Sequence, residues 1–267
     1  MKKFTGQTAL VTGAASGIGK AIAKKLGCEG AFVWITDINE KAGQAAAQEI
    51  RQEGGKAEFL PLDVRSAENV TSVIDHIVAQ NGTLEILVNN AGIPGNPAPI
   101  EQMSDVEWQT MLDIHVNGSF YCLRAAASHM KKQRYGRIIN MSSLASETAL
   151  QYFAHYATAK YALLGLTESS AKELGLFGIT VNALKPGIIR SALTGDLLDV
   201  AEERLATSTP TGTVGSPDDV AAAAAFLASP DSGFLTGISI IVDGGFRLVN
   251  EMDKVMIDMV AATAATE

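Results

Sequence analysis

The chain is poor in cysteine, in clustered positive charge and in long hydrophobic runs, and each shortage excludes a class of protein. Two cysteines among 267 residues, Cys28 and Cys122, make neither a disulfide framework nor a metal site. A formal net charge of −8, without a Lys/Arg cluster, argues against a nucleic-acid-binding groove. Residues 1–7 lack the apolar run of a signal peptide, and no stretch reaches the about 20 apolar residues of a membrane-spanning helix. We therefore expect a soluble cytoplasmic protein that binds neither nucleic acid nor membrane.

Hydrophobic residues are plentiful, at 47%, and their arrangement predicts the fold. Short apolar runs, each ending in turn residues, alternate with longer segments of helical periodicity. Seven such runs predict a doubly wound, seven-stranded parallel sheet with helices on both faces, an α/β fold in a single domain over 1–249. The predicted strands are 8–12, 31–37, 56–60, 86–88, the run between Gly136 and Ser142, 179–184 and 238–242. The predicted helices follow the first Gly-rich turn, cover 40–53, 68–80, 104–132 and 217–228, and include Tyr156.

A glycine-rich turn lies between the first strand and the first helix, where nucleotide-binding turns occur. It consists of Gly13, Ala14, Ala15, Ser16, Gly17, Ile18 and Gly19. Glycines let the backbone approach a pyrophosphate, whose charge meets the N–H groups of the helix N-terminus. The alternative is a tight strand-to-helix connection without a ligand.

Asp37 ends the second strand, 18 residues after Gly19, and favours a dinucleotide. A carboxylate there can accept hydrogen bonds from both ribose hydroxyls, and it would repel a 2′-phosphate. Ser16 occupies the turn position where an Arg or Lys would balance that phosphate. The sequence therefore favours NAD over NADP.

Tyr156 and Lys160 are four residues apart in a segment without Gly or Pro, so on a helix they share one face. A free Tyr has a pKa of about 10, and a nearby ammonium is expected to lower it. Such a Tyr can exchange a proton with a substrate oxygen that Ser143 also holds. The alternative is a surface pair of no catalytic significance.

In order and spacing, these motifs, together with Asn89-Asn90-Ala91-Gly92 and Pro186-Gly187, resemble the classical short-chain dehydrogenase/reductase family from about Thr5 to Val249. The resemblance implies a Rossmann-type fold, a nicotinamide cofactor and a homotetramer. It also implies the site residues. Ser143, Tyr156 and Lys160 would be catalytic; Asp63 and Val64 would flank the adenine; Asn90 would back the cofactor ribose; and Ile189 and Ser191 would reach the carboxamide.

Two departures from the family pattern carry expectations of their own. His115 stands where the family has a fourth catalytic residue, Asn, which helps to hold a helix kink in a proton relay. His115 can keep that relay, can add a titration near neutral pH, or can serve only helix packing. Residues 250–267 continue past the family's usual end with an apolar helical face, which predicts an extra helix against a neighbouring subunit or the active-site rim.

The predicted activity is NAD-dependent interconversion of a secondary alcohol and a ketone, with Tyr156 as the acid/base. Segment 188–212 is expected to form a lid over the substrate. Apolar residues in and near it favour a steroid or an aryl or alkyl alcohol: Leu144, Ala149, Leu150, Phe153, Leu193, Leu197 and Leu198. The alternatives are an NADPH-dependent 3-oxoacyl-thioester reductase, disfavoured by the acidic lid, and a catalytically silent NAD-binding regulator.

Overall fold

A computed structural model describes residues 2–191, 194–250, 252, 253 and 256, with only the backbone at 196 and 197. These residues contain a seven-stranded parallel sheet in the order β3-β2-β1-β4-β5-β6-β7. The strands are Thr8–Thr12 (β1), Phe32–Asp37 (β2), Lys56–Pro61 (β3), Ile86–Asn89 (β4), Gly136–Met141 (β5), Ile179–Pro186 (β6) and Ser239–Val242 (β7). The predicted α/β fold is confirmed, because all seven apolar runs became strands of one parallel sheet.

The helices alternate with the strands and lie on both faces of the sheet. In the described residues they are Gly17–Cys28 (α1), Glu40–Gln52 (α2), Ala67–Asn81 (α3), Asp105–Leu112 (α4), Gly118–Gln133 (α5), Ala145–Thr148 (α6), Ala154–Leu174 (α7), Gly195–Thr207 (α8) and Pro217–Ala228 (α9). A π-helical turn, Asp113–Asn117, joins α4 to α5, so the long predicted helix has a wider turn near its middle. Helices α6 and α8 were not predicted.

Two apolar layers hold the sheet between the helices. One layer packs α1 and α9 against one face, with Ile22, Leu26 and Val220 fully buried. The other packs α3 and α5 against the opposite face, with Ile74, Ile77 and Met130 fully buried. Strands β1, β4, β5 and β6 are buried along their whole lengths, which explains why they read as continuous apolar runs.

The order of the strands places a crevice at the carboxyl ends of β1 and β4, in the middle of the sheet. The chain winds outward from β1 to β3 and then returns to β4 on the other side of β1. In open parallel sheets the carboxyl ends of the strands at such a reversal leave a crevice in which ligands bind. The turn after β1 and the segment after β4 therefore lie at its mouth.

Along the described part of the chain, no helix combines the length and apolar character that a membrane span requires. The helix expected at 250–267 falls largely outside the described residues, as does Leu193 of the expected lid.

Candidate active site

A cleft of about 790 Å³ opens at the carboxyl ends of the central strands. It is lined by every residue that the sequence predicts for cofactor or catalysis. They are Gly13, Ser16, Gly17, Ile18, Gly19, Asp37, Asp63, Val64, Asn90, His115, Ser143, Tyr156, Lys160, Ile189 and Ser191. The fold therefore brings together residues that are spread over nearly 180 positions of the chain.

The glycine-rich turn depends on the missing side chains of Gly13 and Gly19. A Cβ on Gly13 would lie 2.7 Å from the Ala91 Cα, and one on Gly19 would lie 2.4 Å from the Asn90 amide nitrogen. Gly13 also has a φ of +62°, which L-residues rarely adopt. The Asn90 amide donates to the Thr12 and Gly13 carbonyls at 2.9 and 3.0 Å, which joins the turn to the segment after β4.

The N-terminus of α1 is available to an anion. Ser16 is its N-cap residue, but the Ser16 side chain makes no capping hydrogen bond and lies exposed. The first turn carries no acidic residue. Its backbone N–H groups therefore face the cleft with the positive end of the helix dipole, an arrangement that suits a pyrophosphate. Ser191 lies beside this turn, because a Cβ on Gly17 would be 3.7 Å from the Ser191 Cβ.

Asp37 places a carboxylate in this part of the cleft. One carboxylate oxygen accepts from the Ala15 backbone N–H at 3.2 Å, and the other accepts from the Asn39 N–H at 3.0 Å. The carboxylate is thereby held beside the glycine-rich turn, where it would hold the adenosine ribose. A glycine cradle, a free helix N-terminus and a fixed carboxylate together fit a dinucleotide.

Asp63 and Val64, which the resemblance places beside the adenine, line the cleft. The Asp63 carboxylate accepts three hydrogen bonds from the Arg65 guanidinium, at 3.0, 3.1 and 2.7 Å, and this pairing lowers the pKa of Asp63. Val64 is buried and packs against α5, since a Cβ on Gly118 would lie 2.8 Å from the Val64 side chain. Arg65 is thus already occupied by an acidic partner.

Tyr156 lies among the other three predicted catalytic side chains. The Lys160 Nζ is 5.5 Å from the centre of the Tyr156 ring and donates to the Met141 carbonyl at 2.8 Å. The His115 ring meets the Tyr156 ring edge to face, with centroids 5.7 Å apart. The Ser143 hydroxyl accepts from the Ala145 N–H at 3.1 Å and interacts with the Tyr156 phenol. The shared helical face predicted for Tyr156 and Lys160 is confirmed in α7.

The expected direction of the Tyr156 pKa is wrong for this structure. Although the Tyr156 ring lines the cleft, protein surrounds most of the phenol, and this burial raises its pKa; the Ser143 hydroxyl acts in the opposite direction. Burial also lowers the pKa of the Lys160 ammonium to about 7. Near neutral pH, therefore, Lys160 carries only part of its charge.

His115 is a buried residue, 2% exposed, in the π-helical turn. Its Nε2 lies 3.1 Å from the Ile93 nitrogen and 3.0 Å from the Ile93 oxygen, while Nδ1 has no hydrogen-bond partner among the described residues. Burial first, and then the Lys160 charge, hold the pKa of His115 well below its ordinary value. The suggestion that His115 adds a titration near neutral pH is therefore wrong. Its proposed part in a relay stays a prediction.

Replacing His115 by Phe should lower kcat about tenfold, because the segment at Ile93 loses the hydrogen bond that holds it beside Tyr156, and a small misplacement at an active site costs on that order. His115→Asn, which keeps a polar group, should stay closer to the wild type. Steady-state kinetics and a thermal melt of both variants test this. An unchanged kcat in His115→Phe would leave His115 a packing residue only.

Some of the apolar residues that were expected to shape a substrate pocket lie at the cleft. Leu144, Leu150 and Phe153 line the cleft. Ala149 lines a neighbouring hollow, and Leu198, a residue of α8, is buried. Leu197 has no described side chain.

Sequence reasoning missed two residues next to this site, Glu147 and Lys185. Lys185 lies in β6, 6% exposed, and its Nζ is 2.5 Å from a carboxylate oxygen of Glu147 in α6. A single charged residue in a strand whose other residues are uncharged was the signal that could have indicated the pair.

A Rossmann-type crevice beside a Ser, a Tyr and a buried Lys defines a nicotinamide-dependent oxidoreductase. Comparison with known proteins agrees. The family described as Enoyl-(Acyl carrier protein) reductase matches residues 13–247. The 3-oxoacyl-(acyl-carrier-protein) reductase FabG of Staphylococcus aureus is 38% identical over 243 residues, covering 91% of this chain and 98% of that protein. Cyclopentanol dehydrogenase of Comamonas sp. is 37% identical over 248 residues, covering 92% and 99%.

Among solved structures, a gluconate 5-dehydrogenase from Burkholderia cenocepacia, in complex with NADP and tartrate, superposes with a TM-score of 0.88. It is 36% identical and covers 93% of this chain and 99% of its own. The chain belongs to the short-chain dehydrogenase/reductase family. It is an NAD(P)-dependent oxidoreductase that acts on CH–OH groups.

Proposed function

We propose that this protein uses NAD to interconvert an apolar secondary alcohol and its ketone. The observation that carries the proposal is one continuous cleft. Its walls include the glycine-rich turn and Asp37, the group of Tyr156, Lys160 and Ser143, and the apolar side chains of Leu144, Leu150 and Phe153. The cleft thus has one group of residues suited to the cofactor, one suited to the reacting oxygen and one suited to the rest of the substrate.

In this proposal the protein's own residues handle the proton, and the bound nicotinamide exchanges a hydride with the substrate carbon. During reduction the Tyr156 phenol gives its proton to the substrate oxygen; during oxidation the phenol first loses this proton to solvent, and the phenolate then takes the proton of the substrate hydroxyl. The Ser143 hydroxyl holds the same oxygen in place. Lys160 binds the cofactor ribose and supplies positive charge beside Tyr156 when it is protonated.

Support for NAD comes from the charges at the ribose end of the cleft. Asp37 has both carboxylate oxygens held by backbone N–H groups, so the carboxylate cannot easily turn away from a 2′-phosphate. Arg65, which also lines this end, is paired with Asp63. Ser16 adds no charge. A phosphorylated ribose would therefore meet an anion with little compensation.

Support for an apolar substrate comes from further apolar side chains that line the cleft. Ile93, Pro94, Ile188, Leu205 and Phe246 face it together with the three apolar side chains named above. Burial of such surfaces favours a hydrocarbon body around the reacting carbon. Cyclopentanol dehydrogenase, by its name, acts on a small alcohol of this kind.

The second candidate is reduction of a 3-oxoacyl thioester, favoured by the likeness to FabG. The surface of the expected lid argues against an acidic carrier protein. Helix α8 exposes Asp199 and Glu203, and Arg190 is already paired with Glu202. Residues that line the cleft from 188–212, including Thr194 and Leu205, are consistent with a lid, which remains a proposal.

Absorbance of the reduced nicotinamide separates these candidates. Purified protein is mixed with NAD and cyclic, aryl, steroid and polyol alcohols, and in parallel with NADPH and acetoacetyl-coenzyme A. Turnover of apolar alcohols with NAD is expected. Turnover confined to the thioester with NADPH would favour the second candidate, and turnover confined to polyols would contradict the apolar substrate.

We propose further that the chain forms a homotetramer through two apolar surfaces. One lies on α5, where Phe120 is 40% exposed beneath the Arg124 guanidinium. The other lies beside the edge strand β7, where Phe234 is fully exposed and Leu248 is 62% exposed. Two different self-complementary surfaces generate a closed tetramer.

Phe120→Glu and Phe234→Glu should each convert tetramers to dimers, because each introduces paired charges at one two-fold interface. Light scattering gives the mass. Leu176→Glu, which changes a residue that is 84% exposed elsewhere on the surface, is the matched control. A wild-type monomer would contradict the assembly proposal.

A further inference from the structure

The segment that carries Ser143 is joined to the end of β6 by three separate contacts. The Ser142 N–H donates to the Leu184 carbonyl, and the Leu144 N–H donates to the Pro186 carbonyl, both at 2.8 Å. Between these two backbone contacts, the side chain of Lys185 reaches Glu147. Ser143 thus lies between two residues whose backbone N–H groups are bound to β6, and the ion pair adds a third link to the same strand.

The ion pair joins a buried cation to an accessible anion. The Lys185 side chain is 7% exposed and the Glu147 side chain is 36% exposed. A buried ammonium without an acceptor costs far more than a paired one, so the position of Lys185 strongly constrains Glu147. The hydrogen bond from Lys185 is also the main reason that the pKa of Glu147 is lowered, which keeps its carboxylate ionised.

Glu147 in turn fixes helix α6. This helix has only four residues, too few to be stable alone. The Tyr161 hydroxyl donates to the Glu147 carbonyl at 3.1 Å, so both the backbone and the side chain of Glu147 are anchored. The first residue of α6, Ala145, donates its N–H to the Ser143 hydroxyl oxygen. The orientation of α6 therefore sets the direction in which Ser143 presents its hydroxyl.

A second positive charge, that of Arg247 in the segment after β7, also acts on Glu147. The Arg247 charge also lowers the pKa of Glu147, and its neighbour Phe246 lines the cleft. The Arg247 N–H is held by the Asp243 carboxylate, and the Gly187 N–H donates to the Val242 carbonyl. Glu147 thus pairs with Lys185 of β6 and also feels the charge of the segment after β7.

We propose that Glu147 is a positioning residue: its ion pair with Lys185 holds α6, and through the Ala145 N–H it holds the Ser143 hydroxyl toward the substrate oxygen. The inference rests on the proposed function, in which Ser143 holds that oxygen. Glu147 itself does not contact the reacting atoms. Its effect should appear in the turnover of the substrate and leave the cofactor site unchanged.

The test compares Glu147→Gln, Lys185→Met and the double variant. Each single variant should lower kcat about tenfold, since a small misplacement of an orienting group costs at least that much, with KM for NAD unchanged within about twofold. The double variant should lose no more than either single variant, because both remove the same interaction. Glu53→Gln, which breaks the exposed Lys24–Glu53 pair between α1 and α2, is the matched control.

Hydrogen exchange provides a readout that does not require turnover. The backbone amides of 143–148 should exchange faster in Glu147→Gln and Lys185→Met than in the wild type or the Glu53→Gln control. NADH binding, followed by its fluorescence, should be equal in all four proteins.

Failure of the proposed function and failure of the positioning role of Glu147 give different results. A wild-type protein without turnover on any alcohol contradicts the proposed function, while the exchange rates still decide the role of Glu147. Wild-type exchange at 143–148 in both variants, or unchanged kcat in an active enzyme, overturns the positioning role. Additive losses in the double variant would show that the two residues do not act as a pair and would overturn it as well.

Discussion

Tyr156→Phe should reduce kcat for alcohol oxidation by about a thousandfold, because general acid/base catalysis contributes on that scale. The substitution removes one oxygen and keeps the ring that meets His115 and Lys160. The fold and the cofactor site should therefore survive. The measurement is kcat in parallel with a thermal melt and NADH binding.

The matched control is Tyr161→Phe, five residues along the same helix. That phenol donates to the Glu147 carbonyl at the protein surface. Because this phenol helps to anchor α6 but does not contact the reacting atoms, its loss should cost about tenfold at most, far less than the loss of Tyr156. Equal losses in the two variants, or a Tyr156→Phe enzyme that keeps more than about a tenth of its activity, would remove Tyr156 from the chemistry.

Asp37→Ser combined with Ile38→Arg should reverse the cofactor preference. Removal of the carboxylate relieves its repulsion of a 2′-phosphate, and an Arg at the exposed Ile38 position supplies a bidentate partner. The ratio of kcat/KM for NAD to that for NADP should fall by about a hundredfold or more.

Kinetics with both cofactors measure that ratio. Asp37→Ser alone should give an intermediate ratio, and Glu58→Gln, an exposed carboxylate on β3, should leave it unchanged. A wild-type enzyme that already prefers NADP would contradict the interpretation of Asp37. So would a double variant with the same ratio as the wild type.

The sequence predicted the framework closely where local pattern and tertiary burial agree. Strand β1 covers 8–12 as predicted, and α9 covers 217–228 as predicted. The apolar run of β1 is buried on both faces, and α9 has a Ser216 capping box with Pro217 at its start. Residues that are neighbours in the sequence carry these signals, so the sequence alone predicts these two elements.

Features that depend on distant residues were not predictable in the same way. The pKa of Tyr156 follows from how much protein surrounds it, which no residue spacing reveals. The four-residue helix α6 has no periodicity to recognise, and it depends on Lys185, which lies 38 positions after Glu147. The π-helical turn that contains His115 likewise interrupts a helix whose sequence pattern continues through it.

The most direct test of the account follows the hydrogen that leaves the substrate. An apolar secondary alcohol, cyclopentanol labelled with deuterium at the carbinol carbon, is oxidised by the enzyme with NAD, and the reduced cofactor is analysed by mass spectrometry. Hydride transfer from the carbinol carbon to NAD, with Tyr156 as the acid/base, predicts one deuterium per molecule of NADH formed and almost no product with Tyr156→Phe. NADH that carries no deuterium, or product formed only with NADP, would contradict it.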